Sequence, residues 1–237
     1  MIDVIGQYGA LVAGLGAGAL MGFINAQVII SCGAMTQAKS VFITFGLSSV
    51  YNALALLYTG GATQHMSYLN SSVTLYKLMG SGRVGFVSVS FILFLICMGI
   101  LHIFLSKTKT GREICLTGAN MTASELAAIP VKRRVTLIFM LSGVFAALGA
   151  IVLFSRITTA SPLLGANYDT NAILAVVVGG TSLVGGRGSV IRTMLGVMLV
   201  TLLANCLNLL GVSTYMQAIC KGLILIVAIW LDRRRVK

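Results

Sequence analysis

The sequence predicts an all-α, polytopic transmembrane bundle with about seven crossings, one of them short or re-entrant. Three observations carry this expectation. Only 9% of the 237 residues are charged and 57% are hydrophobic, whereas soluble domains carry about 25% charged residues. Mean hydropathy is +0.98, so lipid is the solvent for most of the chain. Apolar runs near the roughly 20 residues that a helix needs to cross a bilayer recur along the sequence. Residues 1–237 therefore read as a single transmembrane domain, with a cytoplasmic loop at 106–134.

The first span is expected at residues 10–30. Its Gly14, Gly18 and Gly22 recur every four residues, so they share one helix face and let two backbones approach closely in lipid. The second span is expected at 40–58. Residues 59–83 are too polar to cross. The third span is expected at 84–105, followed at 106–134 by the longest and most basic polar segment. The fourth is expected at 135–154, and 155–171 is a short polar loop. Residues 172–178 are apolar but too short for an independent crossing. After them, Gly179, Gly180, Gly185, Gly186 and Gly188 predict a tight hairpin that packs against helices, partly at membrane depth, where irregular backbone needs protein or water beside it. Spans at 190–210 and 215–231 complete the chain.

Lysine and arginine orient these spans, because cytoplasmic loops are enriched in both. With 106–134 inside, the inner face holds Lys39, Lys107, Lys109, Arg112, Lys132, Arg133, Arg134, Arg187, Arg192, Arg233, Arg234, Arg235 and Lys237. The outer face holds Lys77, Arg83 and Arg156, and Lys221 lies within the last span. The net charge of +12 is thereby a topology signal, and nucleic acid is not an expected partner. The N-terminus falls outside.

Residues for covalent chemistry are sparse. Asp3, Glu113, Glu125, Asp169 and Asp232 all avoid the middles of spans, which argues against a proton relay and an ion-driven transporter. His65 and His102 stand alone, and Cys32, Cys97, Cys115, Cys206 and Cys220 show no C-x-x-C spacing. No metal site, catalytic residue or cofactor is expected. The glycine hairpin has Gly186 where a P-loop needs lysine, so it is not a nucleotide site. Lys221 reads as a snorkelling side chain. Asn52, Asn205 and Asn208, with Asn25 and Gln27, put amides inside spans. They either bond between helices or line a polar path.

The cytoplasmic loop is the other candidate. Asn120 or Thr122 is a possible N-cap, and Thr122-x-x-Glu125 matches a capping box. The expected helix ends near Ile129 before Pro130, carrying Leu126 and Ile129 on one face. Such a helix docks into a groove of a soluble partner, or is an ordinary surface helix.

Four blocks occur in order: TFGLSSVYNALALLYTGG, GREICLTGAN with SELAAI, GGTSLVGGRGSVIRTMLG, and NLLGVSTYMQAICKGLILIVAIWLD. Together they resemble the permease subunit of ribose/xylose/galactose-type sugar ABC importers. The resemblance implies an inner-membrane channel half that performs no covalent chemistry and moves a monosaccharide by alternating access. It implies an ABC ATPase subunit that holds the ATP, a periplasmic sugar-binding protein and a permease homodimer or pseudo-dimer. The segment with Asn120, Thr122, Ser124, Glu125, Leu126 and Ile129 falls where the family couples to its ATPase. Asn52, Asn205 and Asn208 then become candidates for the sugar path. Two departures accompany the match. The family carries further upstream spans with a Gly-Ile-Asp-Leu-Ser type motif that has no counterpart here, so the chain is expected to be N-terminally truncated. A truncated, non-transporting membrane remnant or assembly protein is the alternative. Met121-Thr122-Ala123 and Ala128 replace the family's acidic-Ala-Ala and late glycine.

Overall fold

A computed structural model describes residues 2–35, 37–65, 74–182, 185–186 and 188–235. Helices account for most of it. In order they are α1 (Ile2–Ser31), α2 (Gln37–Thr59), α3 (Thr74–Ser81), α4 (Val89–Lys107), α5 (Lys109–Ala119), α6 (Met121–Leu126), α7 (Val131–Ile157), α8 (Tyr168–Val178), α9 (Val190–Leu209) and α10 (Thr214–Arg235). Among the described residues, four two-residue strands form two antiparallel pairs: β1 (Gln64–His65) with β4 (Thr159–Ala160), and β2 (Arg83–Val84) with β3 (Val87–Ser88).

Among the described residues, five helices are long and apolar enough to cross a membrane: Gly6–Ser31, Lys39–Thr59, Val89–Lys107, Val131–Ile157 and Val190–Leu209. Tyr168–Val178 and Thr214–Trp230 are shorter apolar helices. These seven fall on the expected runs, though the first, third, fourth and short helices start four or five residues from the expected positions; two of these shifts bear on the loops. The third span begins at Val89 rather than 84, because Arg83–Ser88 closes a hairpin through Gly85 at φ +64°. The fourth begins at Val131, which puts Lys132, Arg133 and Arg134 on its first turn rather than in the loop.

The chain divides into two compact units. The first comprises Met1–Ile96 and Pro130–Leu164. Its centre is the antiparallel pair α1 and α7, and here the glycine face finds its use. A Cβ on Gly18 would lie 2.5 Å from the Gly143 carbonyl oxygen, and one on Gly22 would overlap the Phe139 carbonyl. Gly143 faces Gly18 in return. Ala26 and Ile29 of α1, and Val131 and Val135 of α7, are buried. Asn25 accepts a 3.0 Å hydrogen bond from the Tyr51 hydroxyl of α2, which satisfies one intramembrane amide. The short helix α3 packs on α7. There Gly80 leaves room for the Ser155 carbonyl, and Tyr76 meets Phe154 edge to face at 6.2 Å. Burial raises the Tyr76 pKa above that of an ordinary phenol.

The second unit comprises Cys97–Ile129 and Gly165–Lys237. Leu174 and Ala175 of α8 and Val200 of α9 form its small core, with Ile224 and Leu225 of α10 against it. Gly196 gives α9 its close seat on α8, since a Cβ there would strike the Ala175 carbonyl.

Candidate functional site

Residues 109–126 are more ordered than the sequence suggests. The chain leaves α4 at Lys107 and starts α5 two residues later. Thr108 is extended (φ −93°, ψ 151°), and its Oγ1 accepts from the Gly111 amide at 3.0 Å. Gly111 is buried, and a Cβ on it would lie 2.6 Å from Leu105 Cα, so only glycine permits this fold-back. The segment at GREIC is therefore helical. Amphipathic α5 exposes Lys109, Arg112 and Leu116 and buries Thr117.

Asn120 breaks the helix and caps the next one. Its amide hydrogen bonds to the Leu116 carbonyl, and its side-chain oxygen accepts from the Ala123 amide at 3.1 Å. The capping box at Thr122–Glu125 does not form: Thr122 lies inside α6, and Asn120 satisfies the free amide first. The helix also stops at Leu126, not Ile129. Its end is a Schellman motif, with Ile129 N–H to Ser124 O and Ala128 N–H to Glu125 O, both 3.0 Å. Ala128 takes φ +58° to make it. Leu126 and Ile129 thus do not share a helical face. Leu126 is 86% exposed, Ile129 is half-buried and Ser124 is 4% exposed. Glu125 is exposed.

The glycine hairpin follows α8. Gly180, Gly185 and Gly186 have φ of +76°, +91° and +73°, values that L-residues rarely adopt. Gly179 and Gly188 are constrained by space instead: a Cβ would come within 2.6 Å of Arg192 O and 2.8 Å of Thr181 Cγ2 respectively. The Thr181 and Thr193 hydroxyls join the hairpin to α9 at 3.0 Å. Gly186 lies on the end of α5, its virtual Cβ 2.6 Å from Ala119 Cβ. Leu183, Val184 and Arg187 are outside the described residues, as is Lys237.

Asn205 and Asn208 lie three residues apart on α9, and both are exposed. Asn52 on α2 is exposed too. None of the three makes a side-chain hydrogen bond among the described residues. In hydrocarbon an amide without a polar partner is costly. The two units divide Asn52 from the other pair.

A family model described as branched-chain amino acid transport system / permease component matches residues 1–229. The chain belongs to this permease family. With five helices long enough to cross a bilayer among its described residues, the permease is a multi-pass inner-membrane protein. It is similar to the ribose import permease protein RbsC of Bacillus subtilis, 36% identical over 192 residues, covering 81% of the permease and 59% of that relative. Against RbsC of Escherichia coli K12 it is 31% identical over 230 residues, covering 95% and 69% respectively. The autoinducer 2 import system permease protein LsrD of Photorhabdus temperata is 32% identical over 237 residues, covering 93% and 70%. The permease spans 59% and 65% of the lengths of the Bacillus subtilis and Haemophilus influenzae RbsC proteins. No solved structure matches it.

Proposed function

We propose that this permease is the membrane subunit of an ATP-binding-cassette importer that carries a monosaccharide into the cytoplasm by alternating access. The observation that carries the reading is the amide pair Asn205 and Asn208, exposed on a membrane span with no side-chain partner among the described residues. Amides both donate and accept, which suits a solute with many hydroxyls. The relatives named for ribose and autoinducer 2 import support an import role. In this reading α9 lines the path through Asn205 and Asn208, together with a second permease subunit, and Asn52 of α2 is a separate candidate on the other unit. A periplasmic sugar-binding protein delivers the solute. ATP is bound and hydrolysed on a separate subunit, which docks at 106–134, where Asn120 and Ser124 hold α6 in shape and Thr122, Glu125 and Leu126 meet the partner. Ile129 braces the turn behind them. The glycines 179, 180, 185, 186 and 188 are structural.

The test is reconstitution. The permease is co-purified with the ATPase subunit of its importer, placed in proteoliposomes with the binding protein, and assayed for uptake of labelled ribose and related sugars. ATP-dependent uptake is the expected outcome. A permease that inserts but neither retains the ATPase nor supports uptake would point to the assembly-protein alternative.

A further inference from the structure

The glycine hairpin and the coupling segment meet at one place. Ala119 is the last residue of α5 and directly precedes the cap Asn120. A Cβ built on Gly186 would stand 2.6 Å from Ala119 Cβ and 2.7 Å from its Cα, and one built on Gly118 would stand 3.2 Å from the Gly186 amide nitrogen. The two backbones approach directly at this point. The hairpin is in turn tied to α9. Thr181 bonds Thr193, and Gly179 admits the Arg192 carbonyl. α9 carries Asn205 and Asn208 further along. Backbone-to-backbone contacts leave no rotamer to absorb a displacement, so they transmit movement stiffly.

We infer that the contact of Gly186 on Gly118–Ala119 is the mechanical joint through which the coupling segment moves α9. Gly186 and Ala119 are then positioning residues: they touch neither sugar nor ATPase. Movement of α6 is carried by Asn120 into the end of α5, across this contact into the hairpin, and through the threonine pair to α9. The inference rests on the proposed transport function for its purpose, but the joint itself is testable without it.

Three variants separate contact from backbone strain. Gly186→Ala adds both a clash and an unfavourable φ. Gly211→Ala adds a similar φ penalty (+71°) with nothing within 4 Å. Ala119→Val enlarges the joint from the helical side, where no φ penalty arises. Amide exchange is measured on each full-length variant in detergent or nanodiscs. Gly186→Ala and Ala119→Val are expected to speed exchange across 116–129 by about tenfold, with Gly211→Ala near wild type there. Adding Ala119→Gly to Gly186→Ala is expected to restore little of the protection, because the added Cβ still meets the residue 119 Cα at 2.7 Å. In the reconstituted importer, the first two variants are expected to lower sugar carried per ATP hydrolysed while the ATPase stays bound. Unchanged exchange at 116–129 in both Gly186→Ala and Ala119→Val overturns the joint. Altered exchange with an unchanged transport-to-ATP ratio overturns its coupling role. Failure of the wild-type protein to bind any ATPase counts against the transport reading, while the exchange result still decides the contact. If Gly186→Ala does not insert, Ala119→Val decides alone.

Discussion

Ala128 is the residue whose local cost is easiest to read. Among the described residues, three other helix ends use the same closing geometry, at Gly33, Gly180 and Gly211, with φ of +60°, +76° and +71°. At α6 the left-handed position holds a methyl group. A non-glycine residue there costs about 1–2 kcal/mol, offset by the roughly 0.4–1 kcal/mol of unfolded-chain freedom that glycine would add. Ala128→Gly is therefore expected to stabilise α6 by up to about 1 kcal/mol, seen as slower amide exchange at 121–129. Faster exchange would contradict the assignment of strain. Asn120→Ala should do the reverse. It strips the cap from the Ala123 amide and should cost about 1 kcal/mol, observed by the same measurement. Thr122→Ala, which disturbs no cap, should cost far less.

At the scale of elements, α6 carries an exposed leucine. Leu126→Asp is expected to leave insertion and folding intact, because Leu126 is 86% exposed. It is expected to weaken retention of the ATPase subunit, since an unpaired charge buried at such a contact costs roughly 2–5 kcal/mol. Undiminished co-purification would remove α6 from the docking surface. The α1–α7 pair makes a different forecast. Gly22→Ala must push the two backbones away from each other, with an overpacking cost of about 1–3 kcal/mol, whereas a Cβ on Gly46 meets nothing within 4 Å. Thermal unfolding of Gly22→Ala and Gly46→Ala in detergent should differ in that order. What was legible in the chain follows the same divide. Long apolar runs located the end of the first span and both ends of the span at 190–210 to within about a residue, because a helix that crosses lipid cannot hide its apolar length. Helices α3 and α5 were missed, because 8 and 11 residues of mixed polarity make no apolar run to find. The helix end at Leu126 was missed because a left-handed alanine is not a sequence signal. The clustered glycines announced a tight hairpin, but nothing local reveals that Gly186 seats on Ala119, 67 positions earlier in the numbering.

For the whole molecule, orientation is the property most open to direct measurement. In a cysteine-free background, Thr122→Cys is the probe of choice for the inner loop, since Thr122 is exposed and Ser124 is buried. Ala160→Cys serves the opposite side. The lysine and arginine distribution predicts that a membrane-impermeant thiol reagent applied to intact cells or spheroplasts labels position 160 and spares 122. The reverse pattern would invert the topology and detach 106–134 from any cytoplasmic partner. The amide faces make a further whole-molecule forecast. Asn205→Leu with Asn208→Leu should remain inserted, the chain becoming more apolar, yet sugar uptake should fall by an order of magnitude or more (about 1.4 kcal/mol per tenfold). Full uptake would return these amides to simple helix contacts.

The seam between α1 and α7 has a consequence for how the first unit can move. Where Gly18 and Gly22 face Gly143 and the Phe139 carbonyl, main chain rests on main chain. Side-chain interfaces can slide by exchanging rotamers, as the teeth of two soft combs can pass. At these positions there are no teeth to flex, and a small translation along the axis would drive a carbonyl into an α-carbon. The two helices behave as a single double-walled stave, and bending or tilting within the unit falls to its softer edges, such as the tyrosine–asparagine bond to α2.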